Sequence, residues 1–182
     1  MSVSYRSRTA SRVSAGTAKP RIDADAPEPN IAGEFTPWIR WADRLSVPDG
    51  LGGHVHEHGG VYLLAHFPIR VPRGPADFLH SSVVYVGEGG HLKSRWYAFQ
   101  RSALHGLVGH SGGHSHRAWR ELSGAEWETL HVAALPIWFE SEGSTDAPTS
   151  LARRFRLHLE QLLLWKLAVL RRGKKLTLLN AK

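Results

Sequence analysis

Two apolar runs set the frame of this chain. "GVYLLAHFPI" (60–69) and "SSVVYVG" (81–87) are rich in β-branched and aromatic residues and bounded by Gly, Pro and Ser, so each predicts a strand. The polar "RVPRGPADFLH" between them, with its Pro and Gly, predicts a long hairpin connection. "HLKSRWYAFQRSAL" (91–104) and "SHRAWREL" (115–122) read as helices, and "WETLHVAALPIWF" (127–139) as a third strand. Upstream, "FTPWIRWADRLSV" (35–47) predicts a short helix, with Thr36 as N-cap and Pro37 at its first position. "GLGGHVHEHGG" (50–60) and "ESEGSTDAPTS" (140–150) read as loops. Ser150 is placed to cap a long helix from Leu151 to about Arg172, with Gly173 ending it. The predicted order is α-β-β-α-α-β-α without internal repeat. The expected fold is α/β of the α+β kind, a small three-stranded antiparallel sheet flanked by helices.

Composition divides the chain in two. Residues 1–30 are rich in Ser, Ala, Arg and Pro and poor in large apolar residues, the composition of a disordered basic arm, with an organellar transit peptide as the alternative. Residues 31–182 are enough for one domain with its own core, and 42% apolar content with seven Trp suits a globular protein. "LLLWKLAVL" is too short to cross a bilayer and is interrupted by Lys166, so no membrane association is expected. The absence of Cys excludes disulfides, thiolate catalysis and Cys-based zinc sites, and is compatible with a cytoplasmic location.

Charge then points to a partner. The net charge of +7 is unevenly placed: residues 31–150 hold nine basic and twelve acidic side chains, whereas residues 151–182 hold nine basic and one acidic. Residues 1–30 add five basic against three acidic. Positive ends on a mildly negative middle suit a polyanion such as nucleic acid.

The chemistry centres on "VVYVGEGGHLKSRW" (83–96), an apolar run, a glycine-rich turn and a helix carrying a basic residue. A dinucleotide fingerprint fails, because Gly87 and Gly89 are followed by Leu92 where the third Gly belongs, and no acidic residue follows about twenty positions on. No Gly-Lys-Ser/Thr follows either, which excludes a Walker A loop. What remains is a pair of tyrosines, Tyr62 in "GVY" and Tyr85 in "YVG", with Arg95 ten residues beyond the second. On neighbouring strands both phenols can share one face, and the following helix can bring Arg95 over it. Two hydroxyls and a guanidinium suit a phosphodiester, since Arg pairs bidentately with phosphate oxygens and a phenol can exchange protons with water.

This arrangement resembles the GIY-YIG nuclease family, with GVY and YVG in place of its name-giving tripeptides. The resemblance extends through the leucine and arginine of "YVGEGGHLKSRW", the glutamate of "LHLEQLLLWKL" and the closing Leu-Asn of "GKKLTLLN", roughly residues 59–180. It implies a magnesium-dependent (or manganese-dependent) endonuclease acting on DNA. Tyr62 would deprotonate the attacking water, Tyr85 would support it, Arg95 would hold the scissile phosphate, and Glu160 would bind the metal. Gly60, Gly87, Lys93 and Asn180 would contact substrate. Four residues after the arginine, where the family often has His or Tyr, stands Phe99. That role then falls to a histidine of "GHSGGHSH", among His110, His114 and His116, with His114 as the choice. An i,i+4 pair with Arg156 is the ordinary alternative for Glu160. Two further alternatives are a nucleic-acid-binding module of the same fold without activity, and a zinc site at "HVHEH" (His54, His56, His58).

Overall fold

The structure, a computed structural model, describes residues 30–31, 33–50, 52–138, 147–172, 174 and 176–180. The expected arm, apart from Asn30, lies outside the described residues, as do residues 139–146 and Gly173. The protein is a mixed α+β fold in which three helices pack on an antiparallel sheet.

The sheet is built on the apolar runs. β3 (Gly60–His66) is central, hydrogen-bonded to β4 (Val83–Gly89) on one side and β5 (Leu130–Trp138) on the other. The outer edge of β5 carries two short strands, β1 (Asn30–Ile31) and β2 (Ile39–Arg40). The path β1-β5-β3-β4 therefore has four strands, with β2 as a further pairing, where three were expected. Two-residue strands leave too short an alternation to be read from a sequence.

The short helix expected over residues 35–47 is not formed. Thr36 does not cap; its N–H donates to the Ala134 carbonyl (2.8 Å) and its Oγ1 accepts from the Ala134 N–H (3.0 Å), which adds it to the edge of β5. Only a single 3₁₀ turn, Trp41–Asp43, follows β2. Trp38 and Trp41 enter different cores on the two sides of the sheet, so the burial of two indoles outweighs a local capping preference.

Three helices complete the domain. α1 (Leu92–His105) and α2 (Ser111–Ser123) each end on a left-handed glycine, Gly106 (φ 68°) and Gly124 (φ 71°). α3 (Ala147–Arg171) begins upstream of Ser150, which therefore lies inside the helix and is not its cap.

All seven residues of β3 are buried because both faces are covered. Val61, Leu63 and Ala65 meet Leu163 and Leu167 of α3, while Tyr62 and Leu64 meet Leu92, Trp96 and Phe99 of α1. The period of two thus sorts β3 into an α3 side and an α1 side. Among the described residues no helix is long and apolar enough to cross a membrane.

Candidate active site

Strand register brings the two tyrosines together. Tyr62 sits opposite Gly87 in the β3–β4 ladder, and Leu64 opposite Tyr85. The register then skips Val84, since Ala65 pairs with Val83. Opposite Leu64, Tyr85 shares the α1 face with Tyr62, ring centroids 6.0 Å apart, and the bulge adds Val84 to that face. A Cβ at Gly87 would fall 2.6 Å from the Cζ and Oη of Tyr62, so the phenol needs a glycine beneath it. A Cβ at Gly60 would fall 2.5 Å from the Leu135 carbonyl oxygen, which makes this glycine a condition of close strand approach. The two glycines expected to touch substrate thus serve the sheet and the phenol.

The helices supply a guanidinium and an imidazole. Arg95, in the first turns of α1, is close enough to both phenols to lower them, and its Nε is buried without a hydrogen-bond partner among the described residues. His110, the N-cap of α2, places Nε2 3.0 Å from the Tyr62 hydroxyl. Its Nδ1 accepts the Gly113 N–H at 3.1 Å, so the neutral ring carries its proton on Nε2 and donates to Tyr62. Burial first, and the Arg95 charge second, hold this imidazole down to about 3, so it is neutral at physiological pH. The Tyr62 hydroxyl, which accepts from His110, lies next to Tyr85 and lowers its phenol. A chain of hydrogen bonds therefore runs from the Gly113 amide through His110 to the Tyr62 hydroxyl, with Tyr85 beside it.

The cleft that Tyr85 faces has a volume of about 430 Å³ and is also lined by Arg95, Ser111, Ser115, Glu160 and Asn180. Gly112 makes the cleft possible, because a Cβ there would fall 2.3 Å from the Tyr85 ring. Burial, then the Glu88 carboxylate, raises Glu160 above the usual carboxylate range, and Arg95 opposes that rise. Arg156 does not pair with Glu160; its Nε reaches Glu88 at 3.4 Å instead. Burial raises the Tyr85 phenol and the Arg95 charge lowers it, for a net shift upward. Tyr62 is pushed well above 10, chiefly by burial and then by Tyr85. For Arg95, burial opposes the charge, but the Tyr62 and Tyr85 oxygens outweigh it and the net shift is upward. Arg95 also lines a second hollow of about 340 Å³ with Glu88, His91 and Ser94, so the guanidinium stands between two openings.

Tyr85, Arg95, Glu160 and Asn180 thus meet in one cleft. Tyr62, expected to activate water, has no exposed surface and does not line the cleft, so the outer phenol is the one that can reach water. His114 is exposed on the first turn of α2, and the imidazole at the phenols is His110. Lys93 is exposed and lines neither hollow at Arg95. Both ends of the Asn180 amide are taken by Val86 of β4, Nδ2 donating to its carbonyl (2.6 Å) and Oδ1 accepting its N–H (2.8 Å). "HVHEH" forms a 3₁₀ turn with His58 on Asp49 at 2.7 Å. Among the described residues no group of three or more His, Asp or Glu is placed to share a metal ion, which leaves the zinc alternative without a site there. His110, Ser111 and Ser115 are the site residues that the spacing did not single out. Gly112 and Gly113, which let α2 press against Tyr85 and Ser102, were the available signal.

No protein-family model, curated protein or solved structure matches the chain. Glu160 is the one carboxylate among the described residues that line the cleft. Glu160 is a half-buried carboxylate repelled by Glu88, and a cation there would relieve both costs. Magnesium is commonly held by one or two carboxylates and waters, with substrate phosphate completing its shell.

Proposed function

We propose that this protein hydrolyses phosphodiester bonds in DNA with a GIY-YIG-type site. The observation that carries the reading is the convergence of Tyr85, Arg95 and Glu160, from β4, α1 and α3, on one open cleft. Arg95, fixed against the phenols, pairs with the scissile phosphate and stabilises the charge that develops on its oxygens. Tyr85, as phenolate, takes the proton of the attacking water. The water oxygen bonds to phosphorus as the bond to the leaving oxygen breaks, and that oxygen takes a proton from solvent. The Tyr62 hydroxyl and Arg95 stabilise the Tyr85 phenolate, and His110 fixes the direction of the Tyr62 hydroxyl. Glu160 would hold magnesium or manganese, which supplies Lewis-acid stabilisation of the phosphate when bound. The basic face of α3 contacts the DNA backbone without reading sequence.

Supercoiled plasmid, incubated with protein and magnesium beside EDTA and Glu160→Ala controls, tests the reading. Nicking or linearisation that needs magnesium and is lost in the variant is the expected result. Its rate should also climb toward alkaline pH, because the base is a phenol held above its ordinary range. A folded protein that shifts DNA in a gel but never cuts it would replace the nuclease with an inactive binding module. The upward shift of both phenols is the feature that favours that second reading.

A further inference from the structure

The catalytic cleft does not end at Asn180. Gln161, Leu164 and Asn180 also line an adjoining hollow of about 310 Å³, completed by Trp165, Ala168 and Leu178. The two openings form one groove along α3. Trp165 stands at its far end with 63% of its surface exposed, whereas Trp41 and Trp96 are almost fully buried. An indole left in the open costs apolar hydration, and here it flanks a channel with an aliphatic floor and an amide at its edge.

The charge around the indole indicates what covers it. Helical spacing puts Arg154 and His158 on the same face as Trp165, Arg172 follows just beyond the helix end, and all three are exposed. Glu160 is the only acidic residue of α3. A protein surface meeting this face would have to bury cations around its apolar contact. A nucleic-acid strand offers phosphates to the cations and an aromatic plane to the indole.

We propose that Trp165 is a stacking platform for an unpaired base next to the cleaved phosphate, so that the preferred substrate has a single-stranded or frayed segment there. The proposal rests on the cleft being the phosphodiester site. Within a duplex the faces of the bases are already covered by their neighbours, and only an unstacked base can lie on the indole. The strand then crosses Arg95 with its phosphate and reaches Trp165 with its next bases, while the Gln161 amide lies at the edge of the hollow.

The test uses fluorescein-labelled oligothymidine and a blunt duplex of equal length, with binding followed by anisotropy in EDTA so that no strand is cut. Trp165→Ala should lose about tenfold in affinity for the single strand and little for the duplex, and Trp165→Phe should keep most of it. Replacing the thymidines by abasic residues should weaken the wild type and abolish the difference between the proteins. Equal single-strand affinity in Trp165→Ala, or an equal loss on the abasic strand, would overturn the platform. So would light scattering that shows a dimer for the wild type and a monomer for Trp165→Ala, since a second copy would then cover the face. Failure of plasmid cleavage with base-dependent binding intact would reject the nuclease and keep the platform.

Discussion

β3 has two faces that do different work. Val61, Leu63 and Ala65 form an aliphatic stripe against α3, with no polar group to satisfy. On the other face Tyr62 and His66 each meet an imidazole from α2: Tyr62 meets His110 at 3.0 Å, and His66 Nε2 meets His116 Nε2 at 2.9 Å. The two rungs are four residues apart on β3 and six apart on α2, so they clamp that helix to the sheet at two points. The near rung meets the phenols, and the far rung is buried away from the cleft, where it ties α2 to β3 and to Thr129. The aliphatic face seats α3, and Glu160 with it, by packing alone. The polar face places a helix, and through the helix it places chemistry.

That contrast breaks apart under paired substitution. Leu63 is fully buried, and Leu63→Ala should cost about 4 kcal/mol, while cleavage per folded molecule stays unchanged. Tyr62→Phe should cost less, about 1–3 kcal/mol for the unpaired His110 Nε2–H, yet cleavage should fall at least tenfold as Tyr85 loses the neighbouring hydroxyl that lowers it. Urea unfolding beside plasmid cleavage separates the two. Equal loss of activity per folded molecule in both variants would mean that the polar face is only another packing surface.

The core was more legible than the polar face. Runs such as "GVYLLAHFPI" and "SSVVYVG" carry β-branched residues between turn formers, and burial on both sides of the sheet preserves that signal. The region 35–47 misled because a Thr-Pro pair looks the same whether Thr36 caps a helix or bonds to β5, and only Ala134, far along the chain, decides. In the site, Arg95 and Glu160 were legible by residue type and spacing. The Tyr85 face follows from regular pairing opposite Leu64, whereas Val84 reaches the same face only through a bulge that no pattern announces. Choosing among three histidines needed the Gly113 amide, which fixes His110 and leaves His114 in solvent.

The far rung gives the next largest effect, on acid stability. The Thr129 hydroxyl donates to the Glu126 carbonyl at 2.8 Å, so it accepts from His66 Nδ1–H at 2.7 Å. His66 Nε2 then accepts from His116, which leaves both rings neutral. Burial, with Arg120 and His131 adding to it, lowers His66 to about 4. Burial, followed by His66 and Arg120, lowers His116 to about 3. The unfolded chain takes up these protons below the ordinary value of 6.5, whereas the folded chain refuses them until pH 4 to 3. Their stabilisation is therefore complete above pH 6.5 and is lost as the pH falls through that window. By pH 5 the loss should be on the order of 2 kcal/mol for each imidazole that titrates alone, and His110 should add to it. Urea midpoints between pH 7.5 and 5 should fall accordingly, with the slope reduced in His116→Phe. A flat profile would mean that the rings are wetter than their burial implies.

The smallest effect concerns Asn180, which sits at the mouth of the cleft yet holds the edge of β4. Its amide copies a strand residue, donating to the Val86 carbonyl and accepting its N–H, while the Leu179 N–H reaches the Val84 carbonyl at 2.7 Å. Those three bonds cover the outer edge of the strand that carries Tyr85. Asn180→Ala removes two of them and should cost about 1–2 kcal/mol, a fall of roughly 2–8 °C in melting temperature for a chain of this size. Asn180→Asp should be worse than Ala, because a carboxylate can accept from Val86 but would face its carbonyl with negative charge. If the role is to close the edge, kcat/KM in both variants should follow the folded fraction. A drop in kcat/KM in Asn180→Ala at unchanged melting temperature would instead place this amide on the substrate.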